Sequence, residues 1–113
     1  MTEPSEHPEL VYKILRPSER EVFERFGRFA GSEDDERDGF VHLSTLEQLA
    51  GTLEKHFTDE HELSILALDV AEMGNALRWE ESRGGALFPH LYGAIVRSMV
   101  RGELDRTELP DEA

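Results

Sequence analysis

The chain has no cysteine, which excludes disulfides, thiolate metal ligands and thiol nucleophiles. It has only two lysines, Lys13 and Lys55, and its 12 basic residues face 25 acidic ones. A formal net charge of −13 repels phosphate backbones, so non-specific nucleic-acid binding is not expected. The acidity reads as a solubility device, suited to a salty cytoplasm where screening relieves self-repulsion, before it reads as a patch for a basic partner. No run approaches the roughly 20 apolar residues of a membrane helix, so no membrane association is expected. Met1–Glu9 is polar and acidic and does not resemble a signal peptide, which makes the cytoplasm the expected location. Motifs are also missing. There is no G-x-S-x-G elbow, no P-loop and no G-x-G-x-x-G. The histidines lack H-x-x-x-H or H-x-H spacing, so no metal site is expected.

What is present fits one domain of 113 residues. Residues 1–9 read as a disordered lead-in, 10–106 as a single α+β domain, and 107–113 as a flexible tail. Leu10–Leu15 has the composition of a strand. Pro17-Ser18 opens a helix with Ser18 and Glu21 as a capping box, Val22, Phe23 and Phe26 as its apolar stripe, Glu21 and Arg25 as an i,i+4 pair, and Gly27 as its stop. Glu33–Asp38 holds five acids and one arginine and reads as a solvated loop. A second helix follows Ser44 as its cap, with Leu46, Leu49, Ala50, Leu53 and Phe57 on one stripe. Leu63–Val70 is apolar on both faces, the pattern of a central strand. Ala76–Ser82 alternates Leu77, Trp79 and Glu81 against Arg78, Glu80 and Ser82. Phe88–Gly93 reads as a loop dense in aromatic and hydrogen-bonding groups, and Ala94–Asp105 as a closing strand. The fold class is α+β: a compact, split, mainly antiparallel sheet with two main helices.

Candidate chemistry centres on Asp38–Thr45. Strand alternation puts Phe40, His42 and Ser44 on one face and Val41 and Leu43 on the other. His42 and His90 are candidate general acids or bases, and Ser44 can hydrogen-bond a hydroxyl or phosphate at a helix start. The Trp79–Tyr92 region adds Trp79, Glu80, Glu81, His90 and Tyr92. A carboxylate beside an aromatic wall can stabilise a developing cation. Only one of Glu80 and Glu81 can face a given pocket. Each residue has a plainer role: Ser44 as a cap, Trp79 as core, and His42 and His90 as members of a buried polar network that only fixes the fold.

The pieces Tyr12-Lys13-Ile14-Leu15, Gly31-Ser32, Asp38–Thr45, Arg78-Trp79-Glu80 and Phe88–Gly93 resemble the bacterial domain-of-unknown-function family 952, over about residues 11–104. That resemblance implies an ADP-ribosyltransferase-like fold, a split antiparallel sheet around a nicotinamide-dinucleotide (NAD) cleft. The order strand, helix, then strand with H-x-S is also similar to the tail domain of RNA 2′-phosphotransferases. By this resemblance Tyr12 and Lys13 flank the first cleft position, His42 and Ser44 form the second, and Glu80 or Glu81 the third. The implied reaction breaks a nicotinamide–ribose bond through an oxocarbenium-like state that a carboxylate stabilises. The chain departs from the transferase pattern in having Lys13 where the first strand usually carries histidine or arginine, and in lacking a paired Q/E-x-E loop. The expectation is a transferase or hydrolase acting on a nicotinamide dinucleotide or on an ADP-ribosyl or phosphorylated small molecule. Its catalytic candidates are His42, Glu80 and His90. Its ligand-binding candidates are Tyr12, Lys13, Ser44, Thr45, Trp79 and Tyr92. The alternative is a non-catalytic module for a small ligand or a protein.

Overall fold

A computed structural model describes residues 9–108, so positions 1–8 of the lead-in (1–9) and positions 109–113 of the tail (107–113) lie outside the described residues. In chain order the elements are β1 (Leu10–Leu15), α1 (Pro17–Phe26), β2 (Arg28–Phe29), α2 (Glu33–Asp38), β3 (Val41–His42), α3 (Leu46–His56), β4 (Ser64–Asp69), β5 (Leu77–Glu81), β6 (Leu87–Leu91), β7 (Ile95–Val96) and β8 (Val100–Asp105). All strand pairings are antiparallel, in sheets ordered β1-β4-β8, β2-β7 and β3-β6-β5. No described helix is long and apolar enough to cross a membrane.

β4 is central and covered on both faces, as its sequence requires. Leu66 and Leu68 join Val11, Leu15, Phe23, Leu91 and Ile95 in one core cluster. Ile65 and Ala67 point the other way, to Tyr12, Ile14, Leu49 and Leu53. Two backbone hydrogen bonds tie this sheet to the β3 region: Tyr12 N–H donates to the Ser44 carbonyl at 2.8 Å, and Ser44 N–H returns to Tyr12 at 2.9 Å. Beyond that bridge the strands part, β3 going to β6. The opening between them is where the polar residues collect.

Several local expectations need correction. The Glu33–Asp38 segment is a helix, so the described chain has three α-helices rather than two. Ser32 caps it, accepting from Asp35 N–H while the Asp35 carboxylate accepts from Ser32 N–H. Four acids in the first turn then complement the positive end of the helix dipole. The N-cap of α3 is Thr45, paired with Gln48, because the Ser44 backbone is occupied by the bridge to Tyr12. In α1 the cap is Arg16, whose N–H donates to Glu19, with Pro17 at the first turn. Of its stripe only Phe23 is buried, while Val22 and Phe26 are exposed; Leu46 of α3 is exposed too. The ion pairs of α1 run from Arg20 to Glu24 and Glu103.

His90 lies in strand β6, the middle strand of its sheet, and not in a loop. Pro89 is tolerated there because its carbonyl, and so its missing N–H, faces the end of β3. Leu43 N–H meets that carbonyl at 3.0 Å where the ladder stops. The closing segment is broken into β7, a single turn at Arg97–Met99, and β8, since β7 serves the small β2 pair before the chain crosses to β4. Gly51 interrupts α3 on its exposed side with ordinary helical backbone, at a cost of about 1 kcal/mol relative to alanine.

Gly31 carries φ of 134°, and a Cβ there would stand 2.7 Å from the Asp35 Cβ. Gly31→Ala is expected to cost about 1–3 kcal/mol or more, read as a lower urea midpoint. Gly39→Ala, at φ of 88° with open space around it, carries the backbone strain alone and should lower the midpoint less.

Candidate functional site

Lys13 projects from β1 into the opening between β1 and β3 and is buried. A buried ammonium requires a partner, and Asp35 supplies it from the first turn of α2. The carboxylate, 2% exposed, accepts from Lys13 Nζ at 2.8 Å, Ser32 N at 2.9 Å, His42 N at 3.1 Å and His42 Nδ1 at 2.6 Å. Lys13 Nζ also donates to the His42 carbonyl at 3.2 Å. Burial pushes the Asp35 carboxyl up. The hydrogen bond from His42, the Lys13 charge and hydrogen bond, and the Ser32 N–H outweigh it and hold Asp35 well below the usual carboxylate range. An ionised carboxylate only accepts, so the proton on this side of the ring sits on His42 Nδ1. The His42 side chain is half-buried, with Asp38 Oδ2 2.9 Å from Nε2.

His42 and His90 are paired across the β3–β6 ladder, and their ring centroids are 5.7 Å apart. Phe40 fills the space beside them, 4.0 Å from His90 in a stacked arrangement and 4.6 Å from His42. His90 Nδ1 stands 2.7 Å from Glu80 Oε1, and the Tyr92 hydroxyl donates to the same oxygen at 2.8 Å. The hydrogen bonds from His90 and Tyr92 hold Glu80 below its ordinary value, and the bond to Glu80 raises the Tyr92 phenol. Arg78 lies over the Tyr92 ring at 5.2 Å. Both imidazoles thus direct Nδ1 at a carboxylate.

A cleft of about 320 Å³ opens here, walled in part by Tyr12, Lys13, Asp35, His42, Ser44 and His90. Thr45, Trp79, Glu80 and Tyr92 are outside its walls. Thr45 caps α3, Trp79 packs against the first core cluster, and Glu80 and Tyr92 stand on the far side of the His90 hydrogen bond. The structure therefore brings His42, Ser44, Tyr12, Lys13 and His90 together at one concavity and leaves Glu80 one hydrogen bond away. Asp35, with Arg16, Glu19, Arg37 and Asp38 on the wall and Phe40 beside the imidazoles, is among the members that sequence reasoning does not single out as site residues. For Asp35 a signal existed, the Ser32-x-x-Asp35 capping spacing after Gly31.

The sequence pattern of the family described as protein of unknown function (DUF952) matches residues 14–102. The chain belongs to this family. The crystal structure of protein CC0527 from Caulobacter crescentus is 46% identical to it, covering 85% of this chain and 84% of that chain with a TM-score of 0.81. The solution NMR structure of CC0527 is 45% identical over 87% of this chain and 84% of that one, with a TM-score of 0.77. No curated protein matches the sequence. The DUF952 chain shares with these neighbours an α+β fold, and here its sheets are antiparallel. No ADP-ribosyltransferase figures among them.

Removing one partner of a buried pair leaves an uncompensated charge. Asp35→Ala is expected to cost about 3–5 kcal/mol in urea denaturation, and Asp35→Leu combined with Lys13→Met to restore most of it. Because the folded carboxyl is depressed, its contribution is complete above the unfolded value of about 4 and is lost as pH falls below that. Stability measured from pH 7 to pH 3 should fall less steeply in the double variant. Glu80→Gln should bring the Tyr92 phenol down toward its ordinary value, followed by ultraviolet titration.

Proposed function

We propose that this DUF952 protein is a small-molecule transferase or hydrolase, acting on a nicotinamide dinucleotide or on an ADP-ribosyl or phosphorylated small molecule. The observation that carries the reading is the meeting of two carboxylate-backed imidazoles, His42 and His90, on the wall of one water-accessible cleft. General acid–base work needs two such groups in unlike surroundings. His42 has a carboxylate near each ring nitrogen, Asp35 and Asp38, which suits it to hold or deliver a proton. His90 has Glu80 on Nδ1, which fixes the direction in which Nε2 is presented. Glu80 acts in this scheme as a positioning residue, through His90, and not on the ligand.

The split between β1 and β3 is the feature that an ADP-ribosyltransferase-like cleft calls for, and Lys13, Ser44 and His42 stand along it. Asp38 and Glu19 on the cleft wall offer negative charge to an oxocarbenium-like centre. Arg16 and Arg37, also on the wall, offer guanidinium groups to a phosphate. A cavity of about 320 Å³ is at the small end of ligand sites and suits a mononucleotide-sized group. One observation favours the second reading, a binding module without turnover. Among the described residues no buried side-chain nitrogen or oxygen lacks a partner, so the polar cluster is complete without a substrate.

Isothermal calorimetry with NAD and with ADP-ribose tests both readings, alongside chromatography for released nicotinamide. The expected result is saturable binding that raises Tm and is weakened by His42→Ala, with His90→Ala lowering turnover about 100-fold or more. Absence of heat with either compound, or binding untouched by His42→Ala, overturns the proposal. Saturable binding with no product leaves the binding module.

A further inference from the structure

A second concavity, an open groove of about 570 Å³, runs along the exposed side of α3 beside β6. Its walls include Glu47, Gly51, Thr52, Glu54, Lys55 and Phe88. Thr52 and Phe88 also line the first cleft, so the two concavities adjoin at these side chains. Ser44 Oγ lies 3.3 Å from Thr52 Oγ1 and fixes the junction to the strand that carries His42.

Gly51 marks this groove. A glycine in mid-helix is explained when the backbone needs a positive φ or when a neighbour crowds its Cβ. Neither holds: its φ is not positive, and a Cβ added there would meet nothing within 4 Å. A side chain there would project into the open space of the groove. The surrounding charge narrows the occupant. Glu47 and Glu54 oppose a single ammonium, Lys55, which disfavours a second phosphate, whereas carboxylates accept from sugar hydroxyls. Phe88 supplies an aromatic surface at the junction for a base.

We propose that the groove is a second subsite, which takes the nucleoside arm of a two-part ligand whose phosphate-bearing arm occupies the cleft. This deepens the reading of the cleft as a ligand site and rests on it. It assigns the substrate class as dinucleotide-like rather than mononucleotide-like, with Gly51 as the residue that sets that specificity.

Gly51→Leu fills the groove from an exposed position with open space around it, and Gly51→Ala is the control that adds only a methyl group. Affinities of NAD and nicotinamide mononucleotide are measured for the wild type and both variants. Nicotinamide mononucleotide is expected to bind all three alike, and NAD to bind Gly51→Leu at least about 10-fold more weakly, a loss of about 1.4 kcal/mol. Equal affinity of NAD for the wild type and Gly51→Leu overturns the subsite. Adenosine titrated into isotopically labelled protein, followed by NMR, should shift the Gly51, Thr52 and Lys55 amides. No shift there overturns the groove even if nicotinamide mononucleotide binds. Shifts there with no mononucleotide binding overturn the reading of the cleft and sustain the groove. No binding by any probe overturns both.

Discussion

The buried ammonium of Lys13 is the constraint from which the polar half of the structure follows. It emerges where β1 and β3 separate, too far inside to reach water, and it is tolerated only because a carboxylate comes to it. Asp35 is carried there by a six-residue helix, α2, which is too short to be stable alone. The helix exists because Ser32 caps it, Gly39 ends it, and its one buried side chain makes four charge-assisted contacts. The same carboxylate orients His42. Packing, helix formation and the placement of the His42 ring are therefore consequences of one ion pair.

The parts of this that were legible in the sequence are those governed by apolar periodicity. Leu63–Val70 announced a strand covered on both faces, and the alternation of Phe40, His42 and Ser44 against Val41 and Leu43 was correct, with Val41 and Leu43 in the core. Glu80 and Arg78 share the side of β5 that meets Tyr92, as alternation required. What periodicity cannot report is a polar residue used as core. Asp35 stands among four other acids in Glu33–Asp38, and composition alone makes that run a solvated loop. Its burial is decided by Lys13, 22 residues away. Ser44 was misread for a related reason. Its chemistry suits a cap, but its backbone was already committed to Tyr12, so the cap passed to Thr45.

Phe40 and His90 show how a strand context changes what a residue can do. A loop histidine after proline would sample many orientations. In β6, His90 is held by its ladder, by Glu80 on one nitrogen and by the Phe40 face, so its remaining nitrogen has a defined direction. Glu80 holds the ring through Nδ1. Such support is what a proton-transfer group needs, since misplacement of the order of 1 Å erodes rate steeply.

The charge of the whole chain bears on which ligands can arrive. A net charge of −13 opposes a polyphosphate in solution, and counter-ions reduce that penalty only in part. The local field at the cleft differs from the global one, because Lys13, Arg16 and Arg37 gather on the same wall as Glu19 and Asp38. Lys13, however, is neutralised by Asp35, and Arg16 and Arg37 are paired with Glu60, Asp34 and Asp38. An anionic ligand must therefore exchange existing ion pairs on the surface for new ones inside the cleft. That exchange is favourable only where the new pairs are better desolvated than the old. Exposed pairs contribute little to begin with, about 0–1 kcal/mol each, so Arg16 and Arg37 can be recruited at small cost while the buried Lys13–Asp35 pair stays intact. The fold thus separates a fixed ion pair that builds the cleft from exchangeable ones that can greet what enters it.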